Sequence, residues 1–200
     1  SHPKHRGEIS MAKIPEHARL VFKGLRYELY QWQQQMFDDS EQTFEMIKRA
    51  DTVEALVVVG DKILIQEEEQ PHVPRPFLSL PGGCVDDGEA HEAAMSRELL
   101  EETGYTVESW DLYHVQAPLQ SVQWDMYVYI GRGGYIAGEP HTDAGERITP
   151  RLVSFNELLD LVDRGELYRF EQTLRFQLLR AKYHRPSYEA FYKEVFGKNP

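Results

Sequence analysis

Three glutamates crowd the end of one predicted helix, and few arrangements tolerate that. Residues 89–103 read as a helix closed by Gly104 in the left-handed cap position. Glu98, Glu101 and Glu102 stand at i, i+3 and i+4, within an arc of about 100°. Like charges at that spacing cost a few tenths of a kcal/mol per pair. Acids in a last turn also oppose the helix dipole by roughly 0.3–1 kcal/mol each. A sequence that breaks a local rule three times in one turn points to a function that compensates. Carboxylate oxygens are hard donors that suit Mg²⁺ or Mn²⁺. The other side of the same helix offers Ala93, Leu99 and Leu100 to a sheet, and Ala90, Ala94 and Ser96 are small enough for close approach.

The spacing separates this helix from an ordinary solvated acidic face. Gly83, Glu89, Arg97, Glu98, Glu101, Glu102 and Gly104 hold fixed intervals. From average residue usage, chance recurrence of that set in a chain of this length is on the order of 10⁻⁷. Arg97 is placed to grip one carboxylate with both arms of its guanidinium. Gly82 and Gly83 leave backbone groups open beside the cluster.

A formal net charge of −11 gives the chain no means of neutralising a run of nucleic-acid phosphates, so no nucleic-acid polymer is expected as a partner. An anionic substrate needs a screening cation, for which a divalent metal is the natural candidate. Cys84 is the sole cysteine, which excludes an internal disulfide and a thiolate zinc site. The eight histidines have no metal-ligand spacing, and His91 and His141 read as surface residues. Apolar content of 41% and charged content of 28% are ordinary for a globular domain.

Residues 1–18 are expected to be a disordered leader, with Met11 as a native start, and nothing reads as a membrane span, so a cytoplasmic protein is expected. Residues 19–50 suggest a small antiparallel β unit with a turn at Asp38-Asp39-Ser40, and 51–200 the main domain. Within the latter, 52–59 is apolar enough for a strand buried on both faces. Gly60-Asp61 suits a hairpin turn into 62–66. Pro71, Pro74 and Pro76 mark a loop, and further strands are predicted at 77–80, 105–115, 124–132 and 148–155. Ser154 and Glu157 form a capping-box pair opening a helix that Gly165 closes, with further helices over 170–184 and 187–196. The order suggests a mixed sheet covered by helices.

Gly83-x5-Glu89-x7-Arg97-Glu98-Leu99-Leu100-Glu101-Glu102-Thr103-Gly104-Tyr105 resembles the Nudix box at every polar position; Tyr105 stands where an aliphatic residue is usual. The resemblance implies an α/β/α sandwich and hydrolysis of a nucleoside diphosphate linked to another moiety. It implies Glu98, Glu101, Glu102 and the Gly82 carbonyl as Mg²⁺ ligands (Mn²⁺ as a substitute), Arg97 as their orienter, and Glu89 with Gly83 as loop supports. Direct attack by water is expected, since no Ser/His or Cys/His pairing is evident.

Beyond the box, residues 20–180 resemble the ADP-ribose and nucleoside-diphosphate-sugar pyrophosphatase branch. That likeness implies an acidic loop glutamate linked to metal or acting as general base; Glu146 is the candidate, with Glu139 and Asp143 as substitutes. It also implies a homodimer through the N-terminal unit. Tyr30 or Trp32 would stack the base or simply pack that unit, Arg49 would contact phosphate or base, and Arg75 would supply a phosphate contact. The segment Gln66-Glu67-Glu68-Glu69-Gln70 replaces a glutamine–aromatic–arginine run usual in that branch, and Pro118 comes a few residues early for its marker proline. A nucleoside triphosphate or dinucleoside polyphosphate hydrolase is the alternative enzyme, and a nucleotide-sensing module without catalysis the alternative outside enzymes.

Overall fold

The computed structural model describes residues 13–142, 144–168 and 170–200. The expected leader therefore lies largely outside the described residues, as do Met11 and Asp143. In chain order the elements are β1 (Arg19–Lys23), β2 (Glu28–Gln35), β3 (Glu41–Lys48), β4 (Thr52–Val59), β5 (Lys62–Glu69), β6 (Phe77–Ser79) and β7 (Gly82–Cys84). There follow α1 (His91–Thr103), β8 (Tyr105–Thr106), β9 (Ser109–Gln116), β10 (Val122–Gln123), β11 (Met126–Arg132), β12 (Tyr135–Ile136) and β13 (Arg147–Ser154). The chain ends in α2 (Phe155–Asp163), α3 (Gln172–Tyr183) and α4 (Arg185–Phe196).

The central sheet runs β13-β5-β4-β11-β9, with β6 against β5 and β7 against β4. The β4–β11 pair is parallel and the others are antiparallel, so the sheet is mixed as the element order suggests. Strand alternation divides the core in two. Leu56, Val58, Ile63 and Ile65 face the three C-terminal helices, meeting Leu158, Leu174, Leu178 and Phe191. Val53, Ala55, Val57 and Leu64 face the other way, against Met95 and Leu99 of α1. Both faces of β4 are buried because both are covered by helix, which is why it reads as one apolar run. The result is an α/β/α sandwich.

The packing face of α1 differs from the sequence expectation. Ala94, Met95, Leu99, Glu102 and Thr103 are buried, whereas Ala93 and Leu100 are exposed. The buried stripe is therefore turned far enough to take one glutamate with it. The helix also starts at His91 rather than residue 89, because the Glu89 carboxylate turns back to accept from the Asp86 N–H at 3.1 Å. Its other end is as expected: Gly104 has φ 72 and donates to the Leu100 carbonyl. Tyr105 packs half-buried against the α1-side core, filling the usual aliphatic position.

The first three strands form an antiparallel sheet, but β10 adds to β3 in parallel and ties that sheet to the main domain. Ser154 caps α2 by accepting from the Glu157 N–H, while the Glu157 carboxylate pairs with Arg151 instead of returning to the cap. Among the described residues, no helix is long and apolar enough to cross a membrane.

Glu54, on the face of β4 that meets the C-terminal helices, is 6% exposed and accepts from the Glu171 N–H at 2.7 Å. Burial pushes its carboxyl from 4.5 up to about 8. The unfolded chain releases that proton near 4.5 and the folded chain only near 8, so stability falls as pH rises across this window and levels off above it. Glu54→Gln keeps the acceptor. It should raise Tm at pH 8 by the equivalent of a few kcal/mol and change it little at pH 4.5, measured by thermal unfolding at both values.

Candidate active site

The site begins with the two glycines of β7. A Cβ on Gly82 would lie 2.2 Å from the Val53 carbonyl oxygen, and one on Gly83 would lie 2.3 Å from the Glu98 carboxyl carbon. At Gly82 only glycine lets the strand pass against the β4 backbone, and at Gly83 a side chain would push the Glu98 carboxylate out of place. The Gly82 N–H then donates to Glu102 Oε2 at 3.1 Å.

Arg97 organises the loop and the helix together. Its Nε and Nη2 donate to the two Glu89 oxygens at 3.0 and 2.9 Å, so the two-armed grip falls on the loop acid and not on a carboxylate of the helix cluster. Nη2 also donates to the Cys84 carbonyl, while Nη1 reaches Glu98 at 2.9 Å and Glu101 at 3.2 Å. These contacts hold the Arg97 guanidinium firmly protonated and draw the Glu89 carboxyl below its usual range.

The three helix acids differ in burial. The side chain of Glu101 is 48% exposed and that of Glu98 16%, and Glu102 is 8% exposed. Burial raises the Glu98 carboxyl, aided by the Glu101 and Glu146 charges, even against Arg97. Burial likewise lifts Glu102 well above the usual carboxylate range, with Glu98 and Glu68 adding repulsion. Glu146, just before β13, is thus brought into the field of Glu98, and its Oε1 lies 3.5 Å from the Gln70 amide nitrogen.

Among the described residues, no three acidic, histidine or cysteine side chains converge into a ready-made metal cage. The donor chemistry nonetheless fits a hard divalent cation. Three carboxylates lie on the last turns of one helix beside the β7 backbone, and two of them, Glu102 buried and Glu98 half-buried, carry a mutual repulsion that such an ion relieves.

Residues 48–174 match the NUDIX domain family model. The chain belongs to the Nudix family. It is 25% identical over 167 residues to the ADP-ribose pyrophosphatase of Bacillus subtilis, covering 81% of this chain and 89% of that one. A shorter match, 44% identical over 46 residues, is to an ADP-ribose pyrophosphatase of Saccharomyces cerevisiae, covering 23% of this chain and 20% of that one. The crystal structure of an ADP compounds hydrolase superposes with a TM-score of 0.68 at 15% identity, covering 82% of this chain and 90% of that one, a likeness of fold.

Beside the Nudix loop opens a cleft of about 870 Å³, lined by Tyr27, Arg49, Cys84, His91 and Trp124 among others. The Arg49 guanidinium lies 4.4 Å from the Trp124 ring centre and 6.0 Å from that of Tyr27. Arg49 therefore joins the cleft, whereas Tyr30, Trp32 and Arg75 do not line it. The Tyr30 hydroxyl donates to Glu28, and Trp32 packs edge-on against Phe44 and donates to Gln34. Arg75 is exposed in the proline-marked loop, and Glu139 is exposed as well. His91 is more than a surface residue: it stacks on Tyr127 with ring centres 3.6 Å apart. Sequence reasoning missed Tyr27 and Trp124, since only the β3–β10 pairing brings residue 124 beside residue 49.

Proposed function

We propose that this Nudix enzyme hydrolyses the pyrophosphate linkage of a nucleoside-diphosphate sugar, ADP-ribose first, with Mg²⁺ as cofactor and Mn²⁺ as a substitute. The observation that carries this reading is the shared presentation of Glu98, Glu101 and Glu102 by one helix end, oriented by Arg97 and joined by Glu146 from a second segment. The name of the Bacillus relative supports the choice of substrate.

In this reading Glu98, Glu101, Glu102 and the Gly82 carbonyl would hold the metal. When bound, a divalent cation neutralises diphosphate oxygens and makes a nearby water more acidic. Glu146 accepts a proton from the attacking water as the water oxygen bonds to one phosphorus. The bridging P–O bond breaks, and ADP-ribose plus water gives AMP plus ribose 5-phosphate. Arg97 keeps Glu98 and Glu101 from swinging away, while the Gly82 N–H and the Gln66 amide fix Glu102. Arg49, flanked by Trp124 and Tyr27, offers a cationic, aromatic-backed surface to base or phosphate, and Arg75 a phosphate contact from its loop.

Tyr30 and Trp32 fit a base-stacking role through a second copy of the chain. Leu20, Val21 and Phe22 of β1, with Leu25 in the turn after it, leave apolar surface exposed on the N-terminal unit, which supports a homodimer that carries those rings to the partner's cleft. A small nucleotide substrate, with no nucleic-acid polymer or membrane involved, suits a cytoplasmic enzyme.

The test is a panel of ADP-ribose, other nucleoside-diphosphate sugars, nucleoside triphosphates and dinucleoside polyphosphates, incubated with Mg²⁺ and resolved by product chromatography. AMP and ribose 5-phosphate are expected from ADP-ribose, and chelation by EDTA should abolish them. Pyrophosphate release from triphosphates as the dominant reaction would transfer the assignment to the triphosphatase reading.

A further inference from the structure

Apart from the Gln66 amide that fixes Glu102, the polar run Gln66-Glu67-Glu68-Glu69-Gln70 has no part in the mechanism above, yet two of its side chains are deeply buried. Gln66 is fully buried and Glu68 is 8% exposed. Gln66, Glu68 and Gln70 alternate along β5 and its end, so they share the face that looks toward α1.

Their hydrogen bonds form a continuous line between the two halves of the site. The Gln66 amide nitrogen donates to Glu68 Oε1 at 3.1 Å and to Glu102 Oε2 at 3.2 Å. The Gln70 amide nitrogen donates to Glu68 Oε2 at 3.2 Å and lies 3.5 Å from Glu146 Oε1. The Ser79 hydroxyl donates to Glu68 Oε1 as well. Glu68 thus accepts from both glutamines, and each glutamine turns its second N–H to an acid of the proposed active site.

The cost of this arrangement is visible. Among the described residues, the Gln66 side-chain amide oxygen is buried with no hydrogen-bond partner. Rotating that amide would satisfy nothing, because its oxygen would then face two carboxylates. Glu68 fixes the orientation, and the buried orphan oxygen is the consequence. Glu102 Oε2, held by Gln66 and by the Gly82 N–H, leaves Oε1 to be offered to a cation.

We propose that Glu68 is a positioning residue for the hydrolysis, acting through Gln66 on Glu102 and through Gln70 on Glu146. This rests on the metal-dependent reading above. The register of β5 against β13, which pairs Glu69 with Arg147, sets Gln70 beside Glu146 and makes the device part of the sheet.

The experiment compares parent, Glu68→Gln and Gln70→Ala in Mn²⁺ titrations followed by electron paramagnetic resonance, in thermal unfolding, and in steady-state ADP-ribose hydrolysis. In Glu68→Gln a neutral amide faces two amide donors, so one of the glutamines must turn its oxygen toward an active-site acid. Mn²⁺ affinity and kcat are each expected to fall about 10- to 100-fold, with KM within about threefold and Tm within a few degrees. Gln70 is partly exposed, so Gln70→Ala folds even if Glu68→Gln does not; it should lower kcat about tenfold while leaving Mn²⁺ affinity near the parent value. A purely structural Glu68 would lower Tm and leave both Mn²⁺ affinity and kcat unchanged, which overturns the proposal. So would parent-like kcat in Gln70→Ala. A parent protein that neither takes up Mn²⁺ nor cleaves ADP-ribose overturns the underlying function instead.

Discussion

Glu102→Gln is expected to lower kcat for ADP-ribose hydrolysis by on the order of 10³-fold or more, with the fold intact. The size follows from the proposed role. A cation at the attacked phosphoryl group is worth several kcal/mol of transition-state stabilisation, and each 1.36 kcal/mol is a factor of ten. The amide oxygen of glutamine can still accept from the Gly82 N–H and the Gln66 amide, so the side chain keeps its place. The negative charge alone is removed.

Stability moves the other way. Burial and the Glu98 and Glu68 charges hold the Glu102 carboxyl well above its ordinary range. A group whose folded-state pKa is raised destabilises the fold as pH climbs beyond its unfolded value. Glu102→Gln should therefore unfold at a higher temperature than the parent near neutral pH without metal. Added Mg²⁺ should raise Tm in the parent and not in the variant, since only a ligand that binds the native state stabilises it. A purified variant with near-parental turnover would remove Glu102 from the metal site, and equal Mg²⁺-dependent shifts would do so independently.

Much of this site was legible without coordinates because its chemistry is local. Gly83, Glu89, Arg97 and the glutamates of α1 lie within one loop and helix, so intervals along the chain translate directly into neighbours in space. β4 was legible for a similar reason: a strand covered on both faces has nowhere for polar residues to alternate. What failed depended on long-range pairing. The run at residues 66–70 has the composition of an exposed strand end, and only α1 across the face of β5 explains why Gln66 and Glu68 are buried. The Arg49–Trp124 contact needs the parallel β3–β10 pair, which two residues of β10 cannot announce. The face of α1 was misjudged because Leu100 looked like core; Met95 and Leu99 fill that place, and Glu102 accompanies them inward.

Glu146 provides the second large effect and a different kinetic signature. A general base contributes about 10²- to 10⁴-fold, so Glu146→Gln should lower kcat by at least about 10²-fold. KM should stay near the parent value, because a group that acts only as the proton leaves water contributes little to ground-state binding. Its position supports this division of labour: Glu146 comes from the segment before β13, not from α1, and meets Glu98 through charge and Gln70 through its amide. Arg97 bonds to Glu98 and Glu101 stay untouched in this variant. Mn²⁺ uptake measured by titration calorimetry should thus fall far less than in Glu102→Gln. Three outcomes separate the roles. Loss of kcat with metal binding kept marks a base, joint loss of both marks a ligand, and parental kinetics would move the base to another acid of the loop, with Glu139 the next to substitute.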